Sequence, residues 1–98
     1  MNVIFEKMKP LVPRKKCRKF RKDSEFVIVM NPSNKIVYLN TTAGDIFLLC
    51  NGEKSIAQIF QEILSEYEVE PEILEHDFIK IIQDFRWNRI IELHKEAK

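Results

Sequence analysis

Ninety-eight residues, 45% of them apolar and 32% charged, suffice for one domain with a modest core and leave no room for a large buried cofactor site. Cys17 and Cys50 lack the paired spacing of a zinc or iron–sulfur site, no apolar N-terminal run resembles a secretory signal, and no apolar run is long enough to span a bilayer; a reduced, cytoplasmic protein without metal or cofactor is expected. Formal net charge is only +1, yet residues 1 to 22 hold nine Lys and Arg against Glu6 alone, a net +8, which leaves −7 for the remainder.

Residues 1 to 12 read as an N-terminal arm, kept extended toward Pro10 and Pro13, with helical potential only at its very start. Residues 13 to 94 read as the domain. Arg14 to Lys22 alternates charge with Cys17 and Phe20 and is a candidate first strand. Its cations fit a basic arm for nucleic acid or an acidic peptide, or a solvated strand edge laid against the chain's own acidic part. Glu25 to Met30 contains the β-branched and aromatic run Phe26-Val27-Ile28-Val29, and Asn31-Pro32-Ser33-Asn34 supplies turn chemistry before an alternating strand over 35 to 40. Those two strands form a hairpin.

The period then becomes helical over about 42 to 51, 55 to 67 and 71 to 88. Asn40, Thr41 or Thr42 offers a side-chain oxygen to cap the first helix, Asn51-Gly52 ends it with a positive-φ glycine, and Ser55 caps the second. Pro71 suits the first position of the third helix, where Leu74, Phe78, Ile81 and Phe85 form the stripe that closes the core. Its two flanks carry Ile73, Asp77, Lys80 and Asp84 on one side and Glu75, Ile79, Ile82 and Arg86 on the other; either could face a groove. Trp87 projects away from the stripe and either packs under the C-terminal tail, the reading preferred here, or stands exposed as a partner anchor. Arg89 to His94 makes a short final strand or an apolar tail.

Cys50 sits among apolar neighbours as a small buried thiol, whereas the basic surroundings of Cys17 would lower its pKa. His76 and His94 have no neighbouring ligand set, and no Cys/His or Ser/His/Asp constellation can be assembled, so an enzyme is not expected.

The order of strands then helices, with Leu39-Asn40-x-Thr42-Ala43-x-x-Ile46-x-x-Leu49-x-x-Gly52-x-x-Ser55-Ile56-x-x-Ile59, resembles the PqqD family, the peptide-recognition elements of ribosomally made, post-translationally modified peptides. Tyr67, Asp77-Phe78 and the spacing of Phe85 to Ile90-Ile91 extend the likeness over roughly residues 13 to 92. One departure is Asn88-Arg89, where the family often has Gly, so that a left-handed turn is expected on Asn88.

The resemblance implies an α+β, winged helix-turn-helix-like domain of three antiparallel strands followed by three α-helices. It implies a non-catalytic adaptor that binds the leader of a precursor peptide and presents it to a modifying enzyme, often a radical S-adenosylmethionine enzyme. By analogy the leader adds as a strand beside 35 to 40, against helix 71 to 88. The residues suit strand addition, since a free edge gives main-chain bonds and pockets give selectivity. Lys35, Ile36, Val37, Tyr38 and Leu39 are the candidate strand residues, and Ile73, Asp77, Lys80, Ile81 and Asp84 the candidate helical wall. Asn40 is read as a helix cap before a contact residue.

Two rival readings stand beside this one. A winged-helix nucleic-acid regulator would use the basic segment, but helix 71 to 88 carries Glu72, Glu75, Asp77 and Asp84 against Lys80 and Arg86, the wrong sign for phosphate. A structural subunit of a larger enzyme is the third. No nucleic acid or membrane partner is expected, and a monomer or weak homodimer is consistent with an edge that can also pair with a second copy.

Overall fold

In this computed structural model, residues 3–95 are described. They form α1 (Val3–Met8), β1 (Val12–Lys15), β2 (Lys19–Lys22), β3 (Val27–Met30), β4 (Ile36–Leu39), α2 (Thr41–Leu49), α3 (Ile56–Glu66), α4 (Pro71–Trp87) and β5 (Ile91–His94). An antiparallel sheet of order β2-β3-β4, followed by three helices, is the α+β architecture expected from sequence. A second sheet pairs β1 with β5, Val12 opposite His94 and Lys15 opposite Ile91. The single strand expected over Arg14 to Lys22 is thus two strands in two sheets, separated by Lys16-Cys17-Arg18. The final segment is a strand.

Alternation decides which face of the three-stranded sheet meets the helices. Val27, Val29 and Leu39 are buried inward, while Ile28, Met30, Ile36 and Tyr38 lie on the opposite face. The helices supply Ile46, Phe47, Ile56, Ile59, Ile63, Phe78, Ile82 and Phe85, all essentially inaccessible. Edge-to-face ring contacts link Phe47 to Phe85 at 5.9 Å and Phe60 to Phe78 at 5.5 Å, a geometry favoured by ring quadrupoles. Gly44 lets α2 approach β3, because a Cβ there would lie 2.8 Å from Val27 Cγ2.

The extended arm gives way, over Val3–Met8, to a helix whose Phe5 and Met8 enter the core. Phe5 meets Phe60 with ring centroids 4.8 Å apart. The linker behind α1 also has a capping role: the Lys9 and Leu11 carbonyls accept the Ala57 and Ile56 amides at the start of α3, which would otherwise lack partners. Ser55 and Gln58 complete a reciprocal capping box there, and Gly52 takes φ 84° while its amide donates to the Pro13 carbonyl.

Basic residues do related work at the other end of α2. Lys15 Nζ donates to the Leu48 and Cys50 carbonyls at 3.1 Å each and lies 5.3 Å from the Phe47 ring centroid. A cation at a helix C-terminus satisfies orphan carbonyls and opposes the dipole. Burial pulls the Lys15 pKa below its ordinary value. The same burial pushes the Cys50 thiol up to about 12. Cys17 is also raised, by desolvation that outweighs the nearby Lys15 charge, contrary to the lowering expected from its basic neighbours. Lys16 pairs with Glu92 across the β1–β5 ribbon, holding the Glu92 carboxyl below the usual range.

Helix α4 ends in a Schellman motif: the Ile90 amide donates to the Phe85 carbonyl and the Arg89 amide to that of Arg86. The left-handed residue is Arg89 at φ 60°, not Asn88, which lies at φ −84°. Asn88 is the cap itself, its amide and Nδ2 donating to the Asp84 carbonyl, so the turn falls one residue later. Trp87 is 85% exposed, which overturns its expected packing beneath the tail. No helix among the described residues is long and apolar enough to cross a membrane.

Candidate functional site

Strand β4 is the outer strand of its sheet and α4 runs beside it, leaving a groove of about 240 Å³ between them. Val37, Tyr38, Leu39, Asn40 and Ala43 line one side, and Ile81, Asp84, Phe85 and Asn88 the other. Its walls thus mix apolar side chains with polar groups, including a carboxylate contributed by α4.

The edge of β4 has a definite polarity. The Asn31 amide donates to the Lys35 carbonyl, and the register continues with Met30 opposite Ile36, Val29 opposite Val37 and Ile28 opposite Tyr38. Because bonded and non-bonded pairs alternate in an antiparallel ladder, Val37 and Leu39 bond inward to β3. Ile36 and Tyr38 therefore direct their amides and carbonyls to the open edge. Those groups sit beside the groove, in position to pair with an incoming strand.

Asn31 sets the angle between the two walls. It is 5% exposed; its Oδ1 accepts the Ser33 and Lys35 amides at 2.8 and 3.0 Å, and its Nδ2 donates to the Asn88 carbonyl at 3.0 Å. One buried side chain thus holds the β3–β4 turn and ties it to the end of α4. At the other end of β4, Asn40 Oδ1 accepts the Ala43 amide at 2.9 Å, the capping role read from sequence. Asp45 accepts from the Tyr67 hydroxyl at 2.6 Å, raising the Tyr67 pKa, and so braces α2 against the end of α3.

Of the ten candidate residues, Val37, Tyr38, Leu39, Ile81 and Asp84 line the groove together, Tyr38 with its side chain on the far face of the sheet. Ile36 puts its side chain on the far face with Ile28 and Met30, leaving only its backbone on the groove side. Lys35 lies beyond the groove, beside Trp87. Ile73, Asp77 and Lys80 are exposed on the Asp84 flank of α4, toward its N-terminus and outside the lining, with Asp77 near His76. Of the two flanks, the one with Ile79 and Ile82 turns those side chains into the core, whereas Asp84 of the other lines the groove. Ala43, Asn88 and Asn31 were not among the candidates. Asn31 and Asn88 stand out in sequence as turn residues, but nothing local shows that they bond to each other across 57 positions. Among the described residues no group of three or more His, Cys, Asp or Glu converges on a point.

A family model described as "Coenzyme PQQ synthesis protein D (PqqD)" matches residues 25–91, from β3 through both groove walls to the start of β5. The chain belongs to the PqqD family. A relative from Bradyrhizobium diazoefficiens (strain USDA 110), described as "PqqA binding protein", is 25% identical over 81 residues, 83% of this chain and 78% of that protein. The fold is shared with TbiB1, solved in complex with the TbiA(beta) leader peptide, at TM-score 0.69 and 17% identity, covering 85% of this chain and 99% of the other. It is shared also with the PqqD truncation of Methylobacterium extorquens PqqCD, described as a functional, stand-alone recognition element for ribosomally synthesised and modified peptides, at TM-score 0.66 and 24% identity, covering 83% and 88%.

Proposed function

We propose that this PqqD-family protein is a non-catalytic peptide adaptor that binds the leader of a ribosomally made precursor as an added strand on β4 and presents it to a modifying enzyme, of the radical S-adenosylmethionine class. The observation that carries the reading is the open edge of β4, whose Ile36 and Tyr38 amides lie beside the groove closed by Ile81 and Phe85. A strand laid there gains main-chain bonds from the edge and selectivity from side chains that reach the groove. Relatives support it: one is described as binding PqqA, and another was solved with a leader peptide. Both cysteines are free thiols, in keeping with a cytoplasmic site of action.

Edge polarity dictates the test. Peptides selected from a random display library on the intact chain serve as probes. Proline at Tyr38 removes an outward donor without breaking a bond to β3, whereas Tyr38→Thr keeps it. Tyr38→Pro is expected to weaken the selected peptides about tenfold or more, combining a lost hydrogen bond with a steric bar to pairing, and Tyr38→Thr by much less. Equal affinity for a folded Tyr38→Pro chain would sink strand addition at β4. Steeply salt-dependent binding of random duplex DNA, with no peptide selected, would favour the nucleic-acid reading instead.

A further inference from the structure

The groove does not end where β4 ends. Asn88 lines it and also lines a second depression of about 300 Å³, formed with Asn31, Ser33, Lys35, Trp87 and Arg89. The two depressions therefore meet at Asn88, at the C-terminus of α4. This second depression differs in chemistry from the first. Trp87 presents an almost fully exposed indole, a side chain of the type enriched at binding hot spots. Lys35 and Arg89 add two cations, neither paired with a carboxylate among the described residues. The left-handed conformation of Arg89 holds this corner, directly after the Asn88 carbonyl accepts from Asn31.

We infer that Trp87, Lys35 and Arg89 form an end-site for an acidic side chain of the bound peptide, Asp or Glu, carried on the stretch that runs off β4 at its Lys35 end. The inference rests on peptide binding along β4. The indole covers the apolar stem of that residue and the two cations receive its carboxylate, as Trp and Arg commonly do at binding hot spots. Asp84, inside the groove, bears the opposite charge from Lys35 and Arg89 beyond it, so the site reads the direction in which a peptide lies as well as its composition.

Trp87 is the chain's single tryptophan and reports on its own site. On the intact protein, selected peptides are expected to be enriched in Asp or Glu at one fixed position, to shift Trp87 emission to the blue, and to lose about three- to tenfold in affinity when that acid is changed to Gln. In a Lys35→Gln/Arg89→Gln protein the same Gln change is expected to have less than about a twofold effect, since no cation is left to receive the acid. Peptides that require the Tyr38 amide yet leave Trp87 emission unmoved and show no charge preference would overturn the end-site while leaving strand addition intact. Peptides that shift Trp87 and need the acid, but are indifferent to Tyr38→Pro, would support the end-site and remove strand addition. Binders that do neither would overturn both.

Discussion

Arg89 occupies a backbone region that penalises a side chain. A left-handed conformation costs a non-glycine residue about 1–2 kcal/mol, and glycine's greater freedom in the unfolded chain offsets about half of that. Arg89→Gly is therefore expected to stabilise the protein by about 0.5–1 kcal/mol, measured by urea denaturation, since the Schellman bonds it completes are main-chain. Cys50 makes a pH-dependent contribution. An unfolded thiol titrates near 8.5, while burial holds Cys50 up to about 12. Between these values the unfolded chain releases a proton that the folded chain keeps, so this contribution is complete below about pH 8.5 and falls as pH rises, by up to about 1.4 kcal/mol per unit. Denaturation series from pH 7 to 10.5 should show a shallower decline for Cys50→Ala than for the parent. At this scale caps were the most legible feature, because Asn40, Gly52 and Ser55 act on amides within three residues or through their own φ. The left-handed turn was misplaced by one residue because its position depends on which residue caps α4, and Asn88 takes that place with its amide and Nδ2 on the Asp84 carbonyl.

The relation between β4 and α4 depends on few bonds. Asn31→Ala removes three side-chain hydrogen bonds, two within the turn and one to α4, and is expected to cost about 2–3 kcal/mol, since buried partners are left unsatisfied. Asn31→Asp keeps an acceptor for the turn but sets a carboxylate against the Asn88 carbonyl. It should lose less stability than the alanine variant and still weaken peptide binding, which separates the angle of the groove from the integrity of the fold. Circular dichroism melts together with peptide titrations on both variants would check this. The elements themselves were readable: β3 from its β-branched run, β4 from alternation, α4 from its apolar stripe and Pro71. The groove was only half readable, since Ile73 and Asp77 share a flank with Asp84 but lie about three and two turns nearer the N-terminus of α4, outside the lining, and Lys80 is exposed although its neighbour Ile81 lines it. Helical periodicity gives angle around an axis and not position along it.

For the whole molecule, the family-matched segment 25–91 is insufficient for the observed core. It omits Phe5 and Met8, the β1 strand that pairs β5, and the Lys9 and Leu11 carbonyls that cap α3. A fragment spanning 25–91 is expected to lack a cooperative thermal transition, and Phe5→Ala in the full chain to lose about 3–5 kcal/mol through the cavity it leaves among Phe60 and Phe78. These contributions were hidden in the sequence because Pro10, Pro13 and the dense positive charge mark an extended arm locally, whereas burial of two residues of α1 is decided by tertiary packing. The positive charge has its own consequence. A sheet with two free edges can recruit copy after copy and grow into a fibre. Here one edge is β4 and the other is β2, whose exposed Lys19, Arg21 and Lys22 repel a like strand and, with Lys35, discourage β2 of one copy from joining β4 of the next. The charge on β2 therefore disfavours end-to-end stacking of this sheet between copies and leaves β4 as the edge with less like-charge repulsion.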